Sequence, residues 1–367
     1  MRFPEFSGEW VETELQDIVP NICSGKDRIS NSGEVALYGS TGVIGRTNSA
    51  SYKENIVLVA RVGANAGQMQ IGNAPCGVTD NTLVIDAKEW NYYIYYFLQH
   101  YNLNRLVFGS GQPLITGGML KRIKVRYGCK AERNNITRLL CLIDERIATQ
   151  NKIIEKYESL IQAMCDTLIE SEQLKVELSF NDFGKPYSGL SGKSAEDFGN
   201  GWPYITYMNV YQNQIIDITD VGLVKINETE QQSVVRYGDI LFTLSSETPD
   251  EVGMGAVYLG DAYPLYLNSF CFGVHITDES KIFSPFLAYY ISTKSFRKAV
   301  FPLAQGSTRF NLQKNDFMKK IFHFPTVKKQ SEIYSVLKAY SDKLSIEKNI
   351  VNLLCEQKSY LLRQLFI

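Results

Sequence analysis

The sequence is short of the groups that most enzyme chemistry needs. Its three histidines, His100, His275 and His323, stand apart, and no metal-ligand spacing appears. Seven cysteines contain no Cys-x-x-Cys pair, and their number is odd. That pattern points to reduced thiols and the cytoplasm, not to a disulfide framework. There is no Pro-Pro dipeptide, so the Asn/Asp-Pro-Pro motif of DNA amino-methylation is excluded. No run of about 18 apolar residues is present, which argues against a membrane span, and the opening "MRFPEFSGEW" lacks an apolar signal core. The formal net charge is −1, so any nucleic-acid site must be a local patch.

Two stretches come closest to a catalytic motif. "GLSGKS", Gly189 to Ser194, has the Gly-Lys-Ser of a phosphate loop, but Tyr187 stands where that loop needs its first glycine. Asp250 and "ESK", Glu279 to Lys281, offer carboxylates and a lysine for a metal-dependent nuclease. The acidic strings are also what turns look like, and the duplicated partner offers no counterpart to them.

What the sequence does have is a repeat. Its 367 residues, 44% hydrophobic and 21% charged, suffice for two or three folded domains. "GSGQPLITGG" begins at Gly109 and "GSTRFNLQKN" at Gly306, 197 residues later. Ile136 to Glu170 aligns without gaps on Ile333 to Ile367 at the same offset, and "LKRIKV" (Leu120 to Val125) matches "MKKIFH" (Met318 to His323) at 198. Looser matches precede these. Tyr95-Tyr96 falls over Tyr289-Tyr290, and "SGK" occurs at Ser24 and again at Ser191. An ordered series of this kind indicates duplication.

Each copy ends in a long helical pattern with apolar residues at alternating spacings of four and three. The seam is Ile136, Leu140, Ile143, Ile147, Ile154, Ile161 and Leu168 in the first copy. In the second it is Ile333, Leu337, Leu344, Val351, Leu354, Leu361 and Leu365. Gln150 and Glu347 occupy the same polar seam position, a device that fixes register at a cost in stability. About 35 helical residues span roughly 50 Å, more than one head can cover, so the two helices are expected to pair antiparallel. A helix lying wholly on its own head is the plainer alternative.

The heads read as mixed. "NIVLVARVG", "NTLVID", "GDILFTL" and "GAVYLG" are strand-like, while "NYYIYYFLQHY" and "SPFLAYYISTKSFRKAV" are helical, the latter with Ser284 as N-cap. The expected fold class is therefore α+β: two tandem α/β heads separated by two long antiparallel coiled-coil helices, with a pseudo-two-fold. The expected bounds are 1–128 for the first head, 129–172 for the first helix, 173–325 for the second head and 326–367 for the second helix.

A duplicated pair of unlike heads on a rigid spacer suits a ligand with two sites at fixed separation, as duplex DNA offers. Lys and Arg would meet phosphates, and polar side chains the base edges. Candidates in the Gly-rich and polar loops of the first head are Lys26, Arg28, Tyr38, Ser40, Thr41, Arg46, Arg61, Asn65, Gln68, Ser110 and Gln112. In the second they are Lys193, Tyr204, Thr206, Asn209, Thr308 and Arg309. A solvated surface role is the ordinary alternative for each of these cations.

This layout resembles the specificity subunits of type I restriction-modification systems. The resemblance covers the whole chain. It rests on the two Gly-Ser motifs, the short basic strands that follow them, and the long helices containing "LIDERIATQNKIIEKYESL" and "AYSDKLSIEKNIVNLL". Pro325 to Ile333 is similar to the family's P-x-x-x-E-Q-x-x-I helix start through Gln330 and Ile333, whereas the first copy has Gly128-Cys129 where the proline would be. The resemblance implies two target-recognition domains, each reading half of a bipartite DNA sequence, with the helices as a spacer. It implies a non-catalytic subunit with no cofactor of its own. Two modification (methylase) subunits would carry S-adenosylmethionine, and restriction subunits would use ATP and Mg. Two other readings remain open at this level: a coiled-coil scaffold with two protein-binding heads, and a stand-alone nuclease or NTPase.

Overall fold

The computed structural model describes every residue except Met1, Pro20, Ser110 and Ile367. The chain divides into two compact units, Met1–Lys152 with Lys348–Ile367, and Ile153–Glu347. The division falls inside two long helices, Lys130–Glu170 and Val327–Leu365. Neither helix contains a glycine or a proline to break it.

In the first unit, a four-stranded antiparallel sheet has the order Ile22–Ser24, Thr82–Ile85, Ile56–Ala60, Met69–Gly72. One of its two inner strands, Ile-Val-Leu-Val-Ala, is buried along its whole length, which is why it reads as an unbroken apolar run. A three-stranded sheet joins Gly42–Thr47 antiparallel to Val35–Gly39, and Val35–Gly39 parallel to Cys76–Val78. Val11–Glu14 pairs with Lys124–Tyr127 just ahead of the first long helix.

The second unit repeats this plan and adds a small sheet, Ser245–Ser246, Phe310–Leu312 and Ala304–Gln305, where the first has isolated bridges. Its four-stranded sheet runs Gly184–Ser188, Cys271–Ile276, Ile240–Thr243, Gly255–Val257. Its mixed sheet joins Val221–Val224, Phe198–Ile205 and Tyr266–Leu267, again with one antiparallel and one parallel pairing. Lys175–Leu178 pairs with Phe322–Pro325. A cis proline, Pro75 in one unit and Pro264 in the other, precedes the parallel strand each time. All four strand-like runs picked out in the sequence lie in these sheets.

Both stretches read as helical in the heads pack into the cores. Asn91–Tyr101 forms one helix, with Tyr93 and Tyr96 buried. The second stretch departs from expectation. It forms two helices, Ser284–Tyr290 and Lys294–Val300, because Thr293 caps a new start by accepting a hydrogen bond from the Phe296 N–H. Ser284 is inside its helix, and Phe283 is the N-cap.

All fourteen seam residues are buried or half-buried. Within the first unit, Ile136 and Leu140 share a core with Leu365 and Phe366, and Lys358 pairs with Asp144 at 2.6 Å. The early part of one helix thus meets the late part of the other, which is antiparallel pairing. Within the second unit, Ile161, Cys165 and Ile169 share a core with Ile333 and Leu337, and Lys329 pairs with Glu172 at 3.3 Å. Each helix segment therefore packs on the head of its unit and also on the other helix. At the polar seam position Glu347 is buried, paired with Lys343 at 2.6 Å, and Gln150 is half-buried.

The two helix starts are built differently. Gln330 is fully buried. Its amide donates to the Pro325 carbonyl at 2.8 Å, and its oxygen accepts from the Phe283 N–H at 2.8 Å. Its counterpart in the first copy, Arg133, lies 3.3 Å over the Trp90 ring, and the neighbouring buried Glu132 takes two bonds from Arg2 and one from Trp10. A side chain at position 128 would strike Glu132, so the glycine that departs from the family motif makes room for this second solution.

Candidate functional site

Five loops meet at one end of each four-stranded sheet, held together by backbone hydrogen bonds. In the first unit they are 24–28, 39–42, 61–68, 79–81 and 109–113. The Gly25 N–H donates to the Thr82 carbonyl, Asp27 to Val78, Thr79 to Tyr38, Arg61 to Asn81 and Gly63 to Pro113, all at 2.9–3.0 Å. In the second unit Gly189 donates to Cys271, Leu190 to Leu267, Asn268 to Ile205 and Leu244 to Phe270, which joins the same set of loops.

The glycine of the Gly-Ser motif opens a hairpin turn in both. Phe108 pairs with Leu114 in one unit and Gln305 with Asn311 in the other, at equivalent positions. Gly109 has φ +100° and Gly306 φ +144°, and a Cβ on either would meet the carbonyl oxygen three residues on, at 2.7 Å from Gln112 and 2.0 Å from Arg309. Only glycine closes this turn without strain. That is the physical reason why the two copies share the glycine. The bonding pattern also corrects one match: the counterpart of Gly25 is Gly189, three residues before the Gly192 that the "SGK" strings suggest.

The loops gather most of the first unit's candidates. Asp27 anchors its segment by accepting from the Val78 N–H and the Ser51 hydroxyl, leaving Lys26 and Arg28 exposed on either side. Ser40 donates to the Asn81 carbonyl at 3.1 Å, next to exposed Thr41. Arg61 is half-buried. Its Nη1 donates to the Ser24 hydroxyl at 3.1 Å, while its Nε is buried with no hydrogen-bond partner among the described residues. Asn65, Gln68 and Gln112 lie on the adjoining loops, Gln68 and Gln112 exposed. Ser110 lies outside the described residues. Two candidates are placed elsewhere. Tyr38 is buried with its hydroxyl accepting from the Asn73 N–H, and Arg46 sits away from the hairpin tip with its guanidinium on the Glu34 carbonyl.

In the second unit the burial pattern differs. Thr308 and Arg309 are exposed on the Gly-Ser hairpin. Thr206 caps the short helix Tyr207–Gln212 by accepting from the Asn209 N–H. Asn209 is fully buried, and its amide bonds to Asp217 and Asp220 carbonyls, tying off the next loop. Tyr204 packs edge-on against Phe198 at 5.3 Å. The Lys193 side chain is 5% exposed and bonded to Glu230, whose carboxyl it holds below the usual value, so this lysine does not extend from the phosphate-loop-like string. Two exposed apolar residues at the loop end carry no sequence signal of their own: Met208 and Phe270. Nothing in their local sequence sets them apart from core residues; the fold alone exposes them.

The loop Pro249–Gly253 is pinned by Arg297, whose guanidinium donates to the Asp250, Val252 and Gly253 carbonyls. Burial pushes the Arg297 pKa down, and its neighbour Glu251 is held low chiefly by a hydrogen bond from Tyr211. Among the described residues no group of three His, Cys, Asp or Glu side chains could hold a metal, and no helix is long and apolar enough to cross a membrane. The two loop ends present hydrogen-bonding, cationic and apolar groups on fixed backbones. That arrangement suits binding.

The family model for the type I restriction modification DNA specificity domain matches residues 7–159 and 188–355. No curated protein sequence matches the chain significantly. Among solved structures, the type I restriction-modification system S subunit from M. genitalium is similar over 100% of this chain and 99% of that one, at 16% identity and a TM-score of 0.63. A structure from work on the complex assembly and conformational transition of the type I R-M system is similar over 99% and 98%, at 13% identity and a TM-score of 0.57. At these identities the likeness establishes the fold.

Proposed function

The chain belongs to the type I restriction modification DNA specificity domain family, and from that premise we propose how it works. It is the DNA-reading specificity subunit of a type I enzyme, and each unit reads one half of a bipartite duplex target. The observation that carries this reading is the pair of loop ends: one backbone scaffold, built twice, with different side chains on it. A protein that needed the same contact twice would keep the same side chains.

The subunit is non-catalytic by itself and acts in the cytoplasm. Two modification subunits dock along the paired helices and supply S-adenosylmethionine for adenine methylation; restriction subunits supply ATP- and Mg-dependent cleavage. Lys26, Arg28, Arg61 and Arg309 serve phosphates or guanines, and Ser40, Thr41, Asn65, Gln68, Gln112 and Thr308 serve base edges or sugar-phosphate. The helices set the gap between half-sites.

Fluorescence anisotropy of the purified protein with a labelled duplex tests this. DNA reading gives affinity that falls steeply with salt and a loss of several kcal/mol when one half-site is scrambled. A protein-binding scaffold gives no affinity, or affinity indifferent to sequence.

A further inference from the structure

The shared hydrogen-bond pattern puts three positions of one unit in register with three of the other. Arg61 and Leu244 both donate their N–H to the next loop and accept from the segment after the Gly-Ser hairpin: Arg61 donates to Asn81 and accepts from Ile115, while Leu244 donates to Phe270 and accepts from Leu312. Asn81 is therefore the equivalent of Phe270. Gln112 and Arg309 are equivalent as the residues whose carbonyls close the glycine turn. At these places the first unit has Arg, Asn and Gln, and the second has Leu, Phe and Arg.

Phe270 is 57% exposed, one of several exposed aromatics, although a phenyl ring gains from burial. Its backbone is not loose. The Phe270 N–H donates to the Asn268 carboxamide at 2.9 Å, and its carbonyl accepts from Leu244 at 2.8 Å. Held among polar loops, with Met208 exposed at the same loop end, Phe270 is placed to make a contact. Asn81, exposed in the same place, is held by its carbonyl, which accepts from Arg61 N–H and the Ser40 hydroxyl. Among the described residues its carboxamide has no hydrogen-bond partner.

Resting on the DNA-reading function above, we propose that the two units read their half-sites with different chemistry. Asn81 and Gln112 address adenine with carboxamides in one half-site; Phe270 and Arg309 address a thymine methyl and a guanine in the other. A carboxamide bonds adenine N6 and N7 as a pair, and a guanidinium bonds guanine O6 and N7 as a pair. Among bases in the major groove, the thymine methyl is the apolar target for a phenyl ring. The glycine-closed hairpin and the pinned loops hold these side chains at the same place in each unit, so the difference between half-sites is written at equivalent positions.

The test is selection from a random duplex library by the full chain with its modification subunits, wild type against Arg309→Gln and Phe270→Asn. The expected result is that the wild type selects a split motif. Arg309→Gln loses about tenfold of its preference for one guanine, as one base contact warrants. Phe270→Asn loses its preference for one thymine in that same half-site. The other half-site stays unchanged in both variants. If either variant unfolds, Arg309→Lys or Phe270→Leu replaces it, with a partial loss expected at the same base. Unchanged preferences in a chain that still selects a split motif overturn this assignment alone. A wild type that selects no motif overturns the DNA-reading function and the assignment with it.

Discussion

Gly306 leaves no room for a side chain, and its backbone is in a region that other residues enter at a cost. Gly306→Ala should cost about 1–3 kcal/mol and weaken DNA binding through distortion of the hairpin. Gly109→Ala, with a wider 2.7 Å approach, should do the same more mildly. Binding titrations beside melting curves check both. Gln330 makes a sharper case, because its amide serves one buried and one half-buried backbone group at once. Gln330→Ala should lower stability by about 2–4 kcal/mol in denaturant unfolding. Burial pushes the Cys165 and Cys271 thiols up to about 12 and Cys76 to about 11, whereas Cys23, Cys129 and Cys355 are exposed. A thiol reagent at pH 8 should therefore label the three exposed cysteines in the native protein and reach the three buried ones only after unfolding. At this scale the sequence was a partial guide. It marked Arg61, Gln112 and Arg309 by their loops, but it gave no sign that Asn209 and Lys193 are consumed by internal bonds, because burial is decided by residues far along the chain. Phe270 was invisible for the opposite reason: an aromatic in a sequence reads as core until its exposure is seen.

Among elements, the long helices were the most legible, since a heptad seam depends on local spacing alone. Leu140 and Leu337 hold equivalent seam positions, and both are fully buried. Leu140→Ala and Leu337→Ala should each cost about 2–5 kcal/mol, read as a fall in unfolding midpoint, with loss of DNA binding following loss of fold. Adding one turn to both helices should change the gap between half-sites and leave the half-sites themselves intact. The strand pairs of the heads were legible as apolar runs, but not their order. A sheet's order is set by contacts between runs dozens of residues apart. The equivalence of Gly25 with Gly189 also needed the bonding pattern, because the loops between had diverged in length and the identical "SGK" strings misaligned them. The same limit hid the double helix in 284–300, where a Thr cap interrupts a pattern that reads as continuous.

On the scale of the whole molecule, each unit contains a head, part of its own long helix and part of the other. A repeat in sequence is thus not the same object as a compact unit in space, and neither unit is complete without chain from both copies. The division of labour that the family implies follows from this construction: two readers with a common frame and separate side chains. Mapping methylated adenines in cells that express the chain with its modification subunits tests that claim most directly. The account predicts one split motif, two short half-sites with a fixed gap, that disappears when the chain is deleted. An unsplit motif, or methylation that persists without the chain, would contradict it.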